Sequence, residues 1–151
     1  MKKQLFFTKT GYEEMQKEYK NLFDKRKEAV KTLAKAREMG DLSENGFYKA
    51  AKFELGNIDR RKRELGILLK HAAIAPNTNA EIVSIGSTVR LFDGNKKNVY
   101  KIVNTYESDS RKGKLSDISP LGKMLLGKRK GDSVLLSTPQ QTTEYTILEI
   151  I

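Results

Sequence analysis

The sequence contains no cysteine and a single histidine, His71. Without cysteine the chain has no disulfide, no thiolate zinc site and no cysteine nucleophile. One histidine argues against a histidine-rich metal centre and against a Ser-His-Asp triad. No run approaches the ~20 apolar residues of a membrane-spanning helix, and the N-terminus lacks the apolar stretch of a secretory signal, so export is not expected. Most self-contained catalytic sites are therefore excluded.

The chain carries an excess of positive charge. Lys and Arg total 29 against 19 Asp and Glu, so the net charge is +10. The surplus lies mainly in the N-terminal half, and such a surplus attracts nucleic acid, anionic membranes or acidic protein surfaces. On charge alone, a solvated helix face explains it equally well.

The first half of the chain predicts two long helices. Residues 10–71 contain no proline and are rich in Lys, Glu, Arg, Ala and Leu, which favour helix. Two series of residues recur at alternating steps of three and four, the pattern of helices packed against each other. They are Tyr12, Met15, Tyr19, Leu22, Arg26, Ala29, Leu33 and Ala36, and then Tyr48, Ala51, Leu55, Ile58, Lys62, Leu65, Leu69 and Ala72. A reversal at residue 42 pairs every member of one series with a member of the other, which predicts an antiparallel hairpin with arms of about 40 Å. The charged members, Arg26 and Lys62, are expected to lay their methylene stems on apolar neighbours and lift the charge into water.

The start of the hairpin carries helix signals. Thr8 or Thr10 is predicted to cap the first helix, with Glu13 and Glu14 in its first turn. At the other end, His71 is suited to the C-terminal end of the second helix dipole.

The second half predicts an α+β domain. Residues 76–80 have the Pro, Asn and Thr content of a linker, and the chain after them alternates and is rich in β-branched residues. A short helix is opened by Ser119 as N-cap and Pro120 at its first position, and Gly127 can close it. The predicted strands are 81–85, 87–92, 98–103, 115–118, 132–137 and 143–149, and the helix is 120–126.

Two carboxylates, Asp41 and Glu44, lie at the predicted tip, residues 39–46. If Asp41 opens the second helix, their Cβ atoms stand about 5–6 Å apart on one face and can share one hard cation such as Mg²⁺. Because Mg²⁺ takes six oxygen ligands, a partner has to supply the others. The same spacing fits a capping box, with Asp41 as N-cap and Glu44 reaching back, and both interpretations can hold together.

Basic and aromatic side chains surround this tip. Cations near it and along Arg60–Arg63 can follow an RNA backbone or an acidic protein channel, although solvation of the outer helix faces explains them equally well. Tyr48 lies on the seam and is expected in the core, whereas Phe47 is expected to be exposed and can stack on a base. The cations near the tip are Arg37, Lys49 and Lys52.

These residues resemble a known family. Residues 36–45, Ala-Arg-Glu-Met-Gly-Asp-Leu-Ser-Glu-Asn, are similar to the tip motif of the Gre transcript-cleavage factors of bacterial RNA polymerase, and Tyr-Lys-Ala-Ala-Lys at 48–52 continues it. Residues 118–128, Ile-Ser-Pro-Leu-Gly-Lys-Met-Leu-Leu-Gly-Lys, resemble the family's C-terminal signature. The resemblance implies a coiled-coil hairpin over 1–75 and an FKBP-like α+β domain over 81–151 that docks on the polymerase.

The resemblance also implies an activity. The hairpin would enter the polymerase secondary channel, where Asp41 and Glu44 would act as the catalytic acidic pair and as ligands of the polymerase's second Mg²⁺. Backtracked RNA would then be hydrolysed, with Ser43 and Asn45 as tip contacts. The residues implied to bind RNA or polymerase are Arg37, Lys49, Lys52, Ser119 and Pro120.

The expected partners are bacterial RNA polymerase and the 3′ end of nascent RNA, with no membrane involved. The free protein is expected to be a cytoplasmic monomer without a bound metal, and an accessory factor instead of an enzyme. The family commonly has a small residue and then an acidic one where Gly46 and Phe47 stand here, so this tip is less acidic.

The alternative is a Gre-like channel-binding regulator that modulates or inhibits polymerase without cleavage. Asp41 and Glu44 favour cleavage, and Phe47 mildly disfavours it. A peptidyl-prolyl isomerase is disfavoured because the second half has few aromatic residues for a proline pocket, and the short- or long-transcript cleavage subtype stays open.

Overall fold

The computed structural model describes residues 4–40 and 45–151. Within them the chain forms two units, one of residues 12–72 and one that joins Gln4–Gly11 to Ala73–Ile151. The sequence placed the whole of 1–75 in the hairpin, and the structure differs at its start. Residues 4–11 belong to the second unit because they contain a strand that pairs with the chain beyond the second helix.

The first unit is built from helices α1 (Lys9–Arg37) and α2 (Gly46–His71). All members of the two predicted series are buried or half-buried. The most buried ones recur every seven residues, as Met15, Leu22, Ala29 and Ala36 in α1 and Ala51, Ile58 and Leu65 in α2. The heptad spacing therefore defines the packed seam, and the hairpin prediction is confirmed.

Contacts across the hairpin match the predicted register to within one residue. Tyr19 packs over Gly66, and the ammonium of Lys62 lies 4.0 Å from the centroid of the Phe23 ring. Arg26 Nε donates to Asp59 Oδ1 at 2.7 Å. Lys62 therefore has an aromatic partner and Arg26 an anionic one. The sequence had predicted that both charged groups would extend into water.

β1 (Leu5–Phe7) and β2 (Ala72–Ile74) form a small two-stranded sheet, all of which except Ala72 belongs to the second unit. Phe7 is fully buried, its carbonyl accepts from Ala75 N at 2.8 Å, and its ring stacks with Tyr106 at a centroid separation of 6.3 Å. The sequence did not predict these strands.

Thr8 caps α1, as predicted: its hydroxyl oxygen accepts from Gly11 N at 3.1 Å. The first turn of α1 holds no acidic residue, so the prediction for Glu13 and Glu14 is wrong by about one turn. A distant carboxylate takes that place instead, because Glu107 accepts from Thr8 N at 3.0 Å and from the Thr8 hydroxyl at 2.5 Å. This anion lies where the helix dipole favours negative charge.

The main sheet of the second unit has five strands in the order β5-β4-β3-β7-β6, and only the β4–β5 pair is parallel. The short helix α3 packs against it, and side chains from both form one core that includes Leu91, Ile102, Leu125 and Ile147, each fully buried. The α+β class is therefore confirmed. The elements are β3 (Thr88–Phe92), β4 (Lys97–Val103), β5 (Lys114–Ser116), α3 (Pro120–Leu125), β6 (Ser133–Ser137) and β7 (Thr142–Ile150), with 3-10 turns at Thr105–Glu107 and Ser110–Lys112.

The strand predicted over 81–85 is wrong. Asn79 Oδ1 accepts from the N–H groups of Glu81 and Ile82, which makes a turn. Val83 is buried, but its backbone bonds go to the loop after α3: Val83 N donates to Lys128 O and Gly127 N donates to Val83 O, each at 2.9 Å. The alternation of apolar and polar residues over 81–85 therefore reflects the burial of the Val83 side chain and does not indicate a strand.

No helix in the described ranges is long and apolar enough to cross a membrane.

Candidate functional site at the hairpin turn

Three of the predicted site residues, Asp41, Ser43 and Glu44, lie outside the described residues, so their roles stay predictions. The interpretation that Asp41 opens the second helix is wrong, because α2 begins at Gly46 with Asn45 as its N-cap. The capping box of Asp41 and Glu44 depended on that earlier start. Asparagine caps a helix as well as aspartate does, and Asn45 also gains a second bond.

On the α1 side, the last turn closes on itself before the chain leaves the helix. Glu38 N donates to Ala34 O at 3.3 Å and Met39 N donates to Ala36 O at 3.2 Å. Gly40 follows with φ +110°, a backbone conformation that only glycine adopts without strain. The exit from α1 therefore depends on a glycine at position 40.

On the α2 side, the Asn45 side chain makes two hydrogen bonds with backbone. Its Oδ1 accepts from Tyr48 N at 3.1 Å, as an N-cap does. Its Nδ2 donates to Ala36 O at 3.0 Å, in the last turn of α1. The same amide thus caps one helix and holds the end of the other.

The surface beside the turn is basic and partly apolar. The predicted binding residues Arg37, Lys49 and Lys52 are all exposed, and the first turn of α2 contains no acidic residue. Phe47 is 51% exposed, as expected, whereas Tyr48 is half-buried on the seam and not in the core as predicted. Cations and one aromatic ring therefore flank the segment that carries Asp41 and Glu44.

Further from the turn, the basic run is partly neutralised. Arg61 forms a two-pronged ion pair with Glu18, at 2.8 and 3.0 Å. The hydrogen bonds from Arg61 lower the pKa of the Glu18 carboxyl, and Glu18 in turn raises the pKa of Arg61. Arg60 donates to Asn57 at 2.9 Å. Arg61 is therefore engaged within the hairpin, which its position in a basic run did not indicate.

Two surface grooves of the hairpin differ in the charge of the residues that line them. In the first, a cavity of about 660 Å³, cations outnumber anions; its charged residues are Arg26, Asp59, Lys62, Arg63 and Lys70. In the second, of similar volume, carboxylates outnumber cations; its charged residues are Glu18, Asp24, Lys25, Glu28, Glu54 and Arg61. The basic groove suits an anionic partner, and the acidic one does not.

The described part of the chain offers no group of three or more His, Asp or Glu side chains that could hold a metal ion. The chemistry of the predicted pair, Asp41 and Glu44, can be compared with what Mg²⁺ requires. Carboxylate oxygens are the ligands that Mg²⁺ prefers, usually one or two per site beside water and substrate oxygens, so this donor pair fits a shared ion.

The second unit contains the other predicted contacts, Ser119 and Pro120. The Ser119 hydroxyl accepts from Gly122 N at 3.1 Å and donates to Ser116 O at 2.6 Å, so it caps α3 as predicted. A Cβ on Gly122 would fall 2.0 Å from Ser116 O. The Ser-Pro-Leu-Gly signature is therefore explained by local structure, and it leaves Pro120 and Ile118 exposed.

Comparison with known proteins agrees with this architecture. A family described as "Transcription elongation factor, N-terminal" matches residues 5–74, and one described as "Transcription elongation factor, GreA/GreB, C-term" matches residues 77–151. Transcription elongation factor GreA of Pelobacter propionicus is 41% identical, with 95% of this chain and 94% of that protein covered. GreA of Lachnoclostridium phytofermentans is 39% identical, with coverages of 98% and 96%. A solved structure of the transcription factor Gfh1 is 31% identical, with a TM-score of 0.50 and 99% of both chains covered. The chain belongs to the GreA/GreB family of transcription elongation factors.

Proposed function

We propose that this elongation factor inserts its hairpin into the secondary channel of bacterial RNA polymerase and stimulates Mg²⁺-dependent cleavage of backtracked nascent RNA. The observation that carries the proposal is the hairpin turn: α1 and α2, of 29 and 26 residues, are tied together by Asn45 beside the segment with Asp41 and Glu44. Helices of this length extend about 40 Å. This is far longer than a helical hairpin needs to bury a packed seam between its two helices.

The chemistry follows from the donor set. A second Mg²⁺, held in part by Asp41 and Glu44, would help to activate the attacking water, so that the two metal ions together would stabilise the attacking and the leaving oxygens. Asp41 and Glu44 would add negative oxygen ligands to an ion that also has ligands from the polymerase and from RNA. The factor would therefore act as an accessory to the polymerase's own active site, and not as an enzyme by itself.

The charges beside the turn support a nucleic-acid partner. Arg37, Lys49 and Lys52 are exposed and can neutralise RNA phosphates or an acidic channel wall. The exposed Phe47 ring offers a stacking surface for an unpaired base. The partners would then be the polymerase and the 3′ end of nascent RNA, with the free factor a monomer in the cytoplasm.

The second unit would dock at the rim of the channel. Its Ser119 hydroxyl is used by the α3 cap, so the surface available to a partner there is Pro120 and the 58% exposed Ile118. Apolar contact at these two residues, with Ser119 fixing their backbone, is the docking role that fits.

The test is cleavage in a stalled, backtracked elongation complex supplied with Mg²⁺ and the factor. Short 3′ RNA products are expected with the natural sequence and should fall by about 10²-fold or more with Asp41→Asn or Glu44→Gln, since each removes a charged ligand. Asp24→Asn is the matched control, because Asp24 is an exposed carboxylate of α1 away from the turn. Equal cleavage by all four proteins would refute the ligand role.

A second function, inhibition without cleavage, is favoured by one observation: Phe47 is exposed where the resemblance expects an acidic residue. The two functions separate in the same assay. Slowed nucleotide addition with no short products would support the inhibitor, and gain of cleavage by Phe47→Asp would identify this position as the cause.

A further inference from the structure

The Asn45 side chain joins the two ends of the segment that contains the acidic pair. Its donor bonds the last turn of α1 at Ala36 O, and its acceptor bonds the first turn of α2 at Tyr48 N. We infer that Asn45 is a positioning residue, which holds Asp41 and Glu44 for catalysis instead of contacting the polymerase. The inference rests on the proposed cleavage function.

The identity of the residue supports a role beyond capping. Asparagine, aspartate and serine cap helices about equally well, so the bond to Tyr48 N alone would accept any of them. Only an amide places an N–H donor beside its acceptor. Aspartate at position 45 would set a carboxylate oxygen against Ala36 O, and the serine hydroxyl ends one atom short of the amide nitrogen.

The anchor on α1 is a well-fixed part of the hairpin. Ala36 is fully buried in the seam, and its carbonyl also accepts from Met39 N at 3.2 Å. Asn45 itself is half-buried. A bond from the start of α2 to this carbonyl therefore fixes both ends of the intervening chain against packed structure.

The bond spans nine residues of sequence. Closing a chain segment at both ends lowers the number of conformations open to it, and a misplacement of about 1 Å can cost about 10²-fold in rate. Loss of the bridge should therefore lower the maximal rate of cleavage. It should leave docking unchanged, because docking depends on other surfaces.

The experiment uses Asn45→Asp and Asn45→Ser, which keep the N-cap and lose the bond to Ala36. The factor is titrated into backtracked complexes, so that the maximal cleavage rate is measured separately from the half-saturating factor concentration. We expect both variants to lose about tenfold or more in maximal rate, with the half-saturating concentration unchanged to within about twofold. The control is Ala50→Ser, which introduces the same hydroxyl at an exposed position of α2.

The free protein supplies a second readout. Hydrogen exchange should be slow at the Asn45 side-chain amide and at Tyr48 N in the natural sequence, and Tyr48 N should stay protected in both variants. An Asn45 amide that exchanges as fast as free asparagine would overturn the inference.

The kinetic measurements can also decide against it. A higher half-saturating concentration at unchanged maximal rate would make Asn45 a polymerase contact. Unchanged kinetics in both variants, or an equal loss with Ala50→Ser, would remove its special role. Absence of cleavage with the natural sequence would instead refute the proposed function, and the positioning role with it, while hydrogen exchange still reports whether the bridge exists.

Discussion

Replacing Gly11 by alanine is expected to destabilise the natural protein and to stabilise a protein that already lacks the Glu107 side chain. The reason is a single close approach at the start of α1. The Glu107 carboxylate bonds Thr8 N and the Thr8 hydroxyl, and a Cβ on Gly11 would fall 1.8 Å from Glu107 Oε1. All three atoms nearest to that Cβ belong to the Glu107 side chain.

The magnitude follows from the bonds that are lost. Hydrogen bonds to a charged group contribute about 1.5–3 kcal/mol each, and partial exposure reduces this, so Glu107→Ala should cost about 2–3 kcal/mol. Gly11→Ala should displace the carboxylate and lose about 1–2 kcal/mol. With Glu107 already truncated the space is free, and alanine is then favoured over glycine in a helix by up to about 1 kcal/mol.

The assay is urea unfolding of the four proteins that form this double-mutant cycle. Glu144→Ala serves as the control, because Glu144 is exposed on β7 and should change the free energy of unfolding by less than about 0.5 kcal/mol. The same loss from Gly11→Ala in both backgrounds would refute the reasoning, since it would show that the glycine is required for some other reason.

Three further predictions concern stability. Gly122→Ala should cost about 3 kcal/mol or more in thermal or urea unfolding, because its Cβ would meet the backbone oxygen of Ser116 at 2.0 Å and backbone gives way less easily than a side chain. Leu65→Ala, at a fully buried seam position, should cost about 2–5 kcal/mol, measured as a lower urea midpoint. Arg61 lowers the pKa of Glu18, so their pairing should stabilise the protein above the ordinary pKa of glutamate and lose this effect as pH falls through the lowered value. Both groups are well exposed, so the effect should be under about 1 kcal/mol, and Arg61→Gln should reduce the loss of stability on acidification.

The elements that the sequence predicted well are those whose signal is local and periodic. The heptad series from Tyr12 to Ala36 and from Tyr48 to Ala72 predicted both helices and their register. Because the seam residues of both helices repeat with the same spacing, one reversal point pairs all of them. The Ser119-Pro120 start of α3 was likewise readable, since cap and first turn are adjacent in sequence.

The features that could not be predicted from the sequence depend on contacts between residues far apart in the chain. Strands of three residues such as β1 and β2 are too short for a periodic pattern, and Glu107 meets Thr8 across 99 residues. At the hairpin turn, the spacing of Asp41 and Glu44 matched a capping box. Asn45 starts the helix instead, because its amide satisfies a second backbone group that local sequence rules do not consider.

If the hairpin enters the polymerase channel as proposed, the opposite charges of its two grooves have a consequence for its orientation there. A rod with a cationic flank and an anionic flank carries a dipole across its axis, so a charged surface around it distinguishes one roll angle from the reverse. The roll angle of the hairpin would then be set by electrostatics before Asp41 and Glu44 reach the Mg²⁺ ion of the proposed site. Added salt would weaken that selection, as it screens the flanks over about 10 Å at 0.1 M.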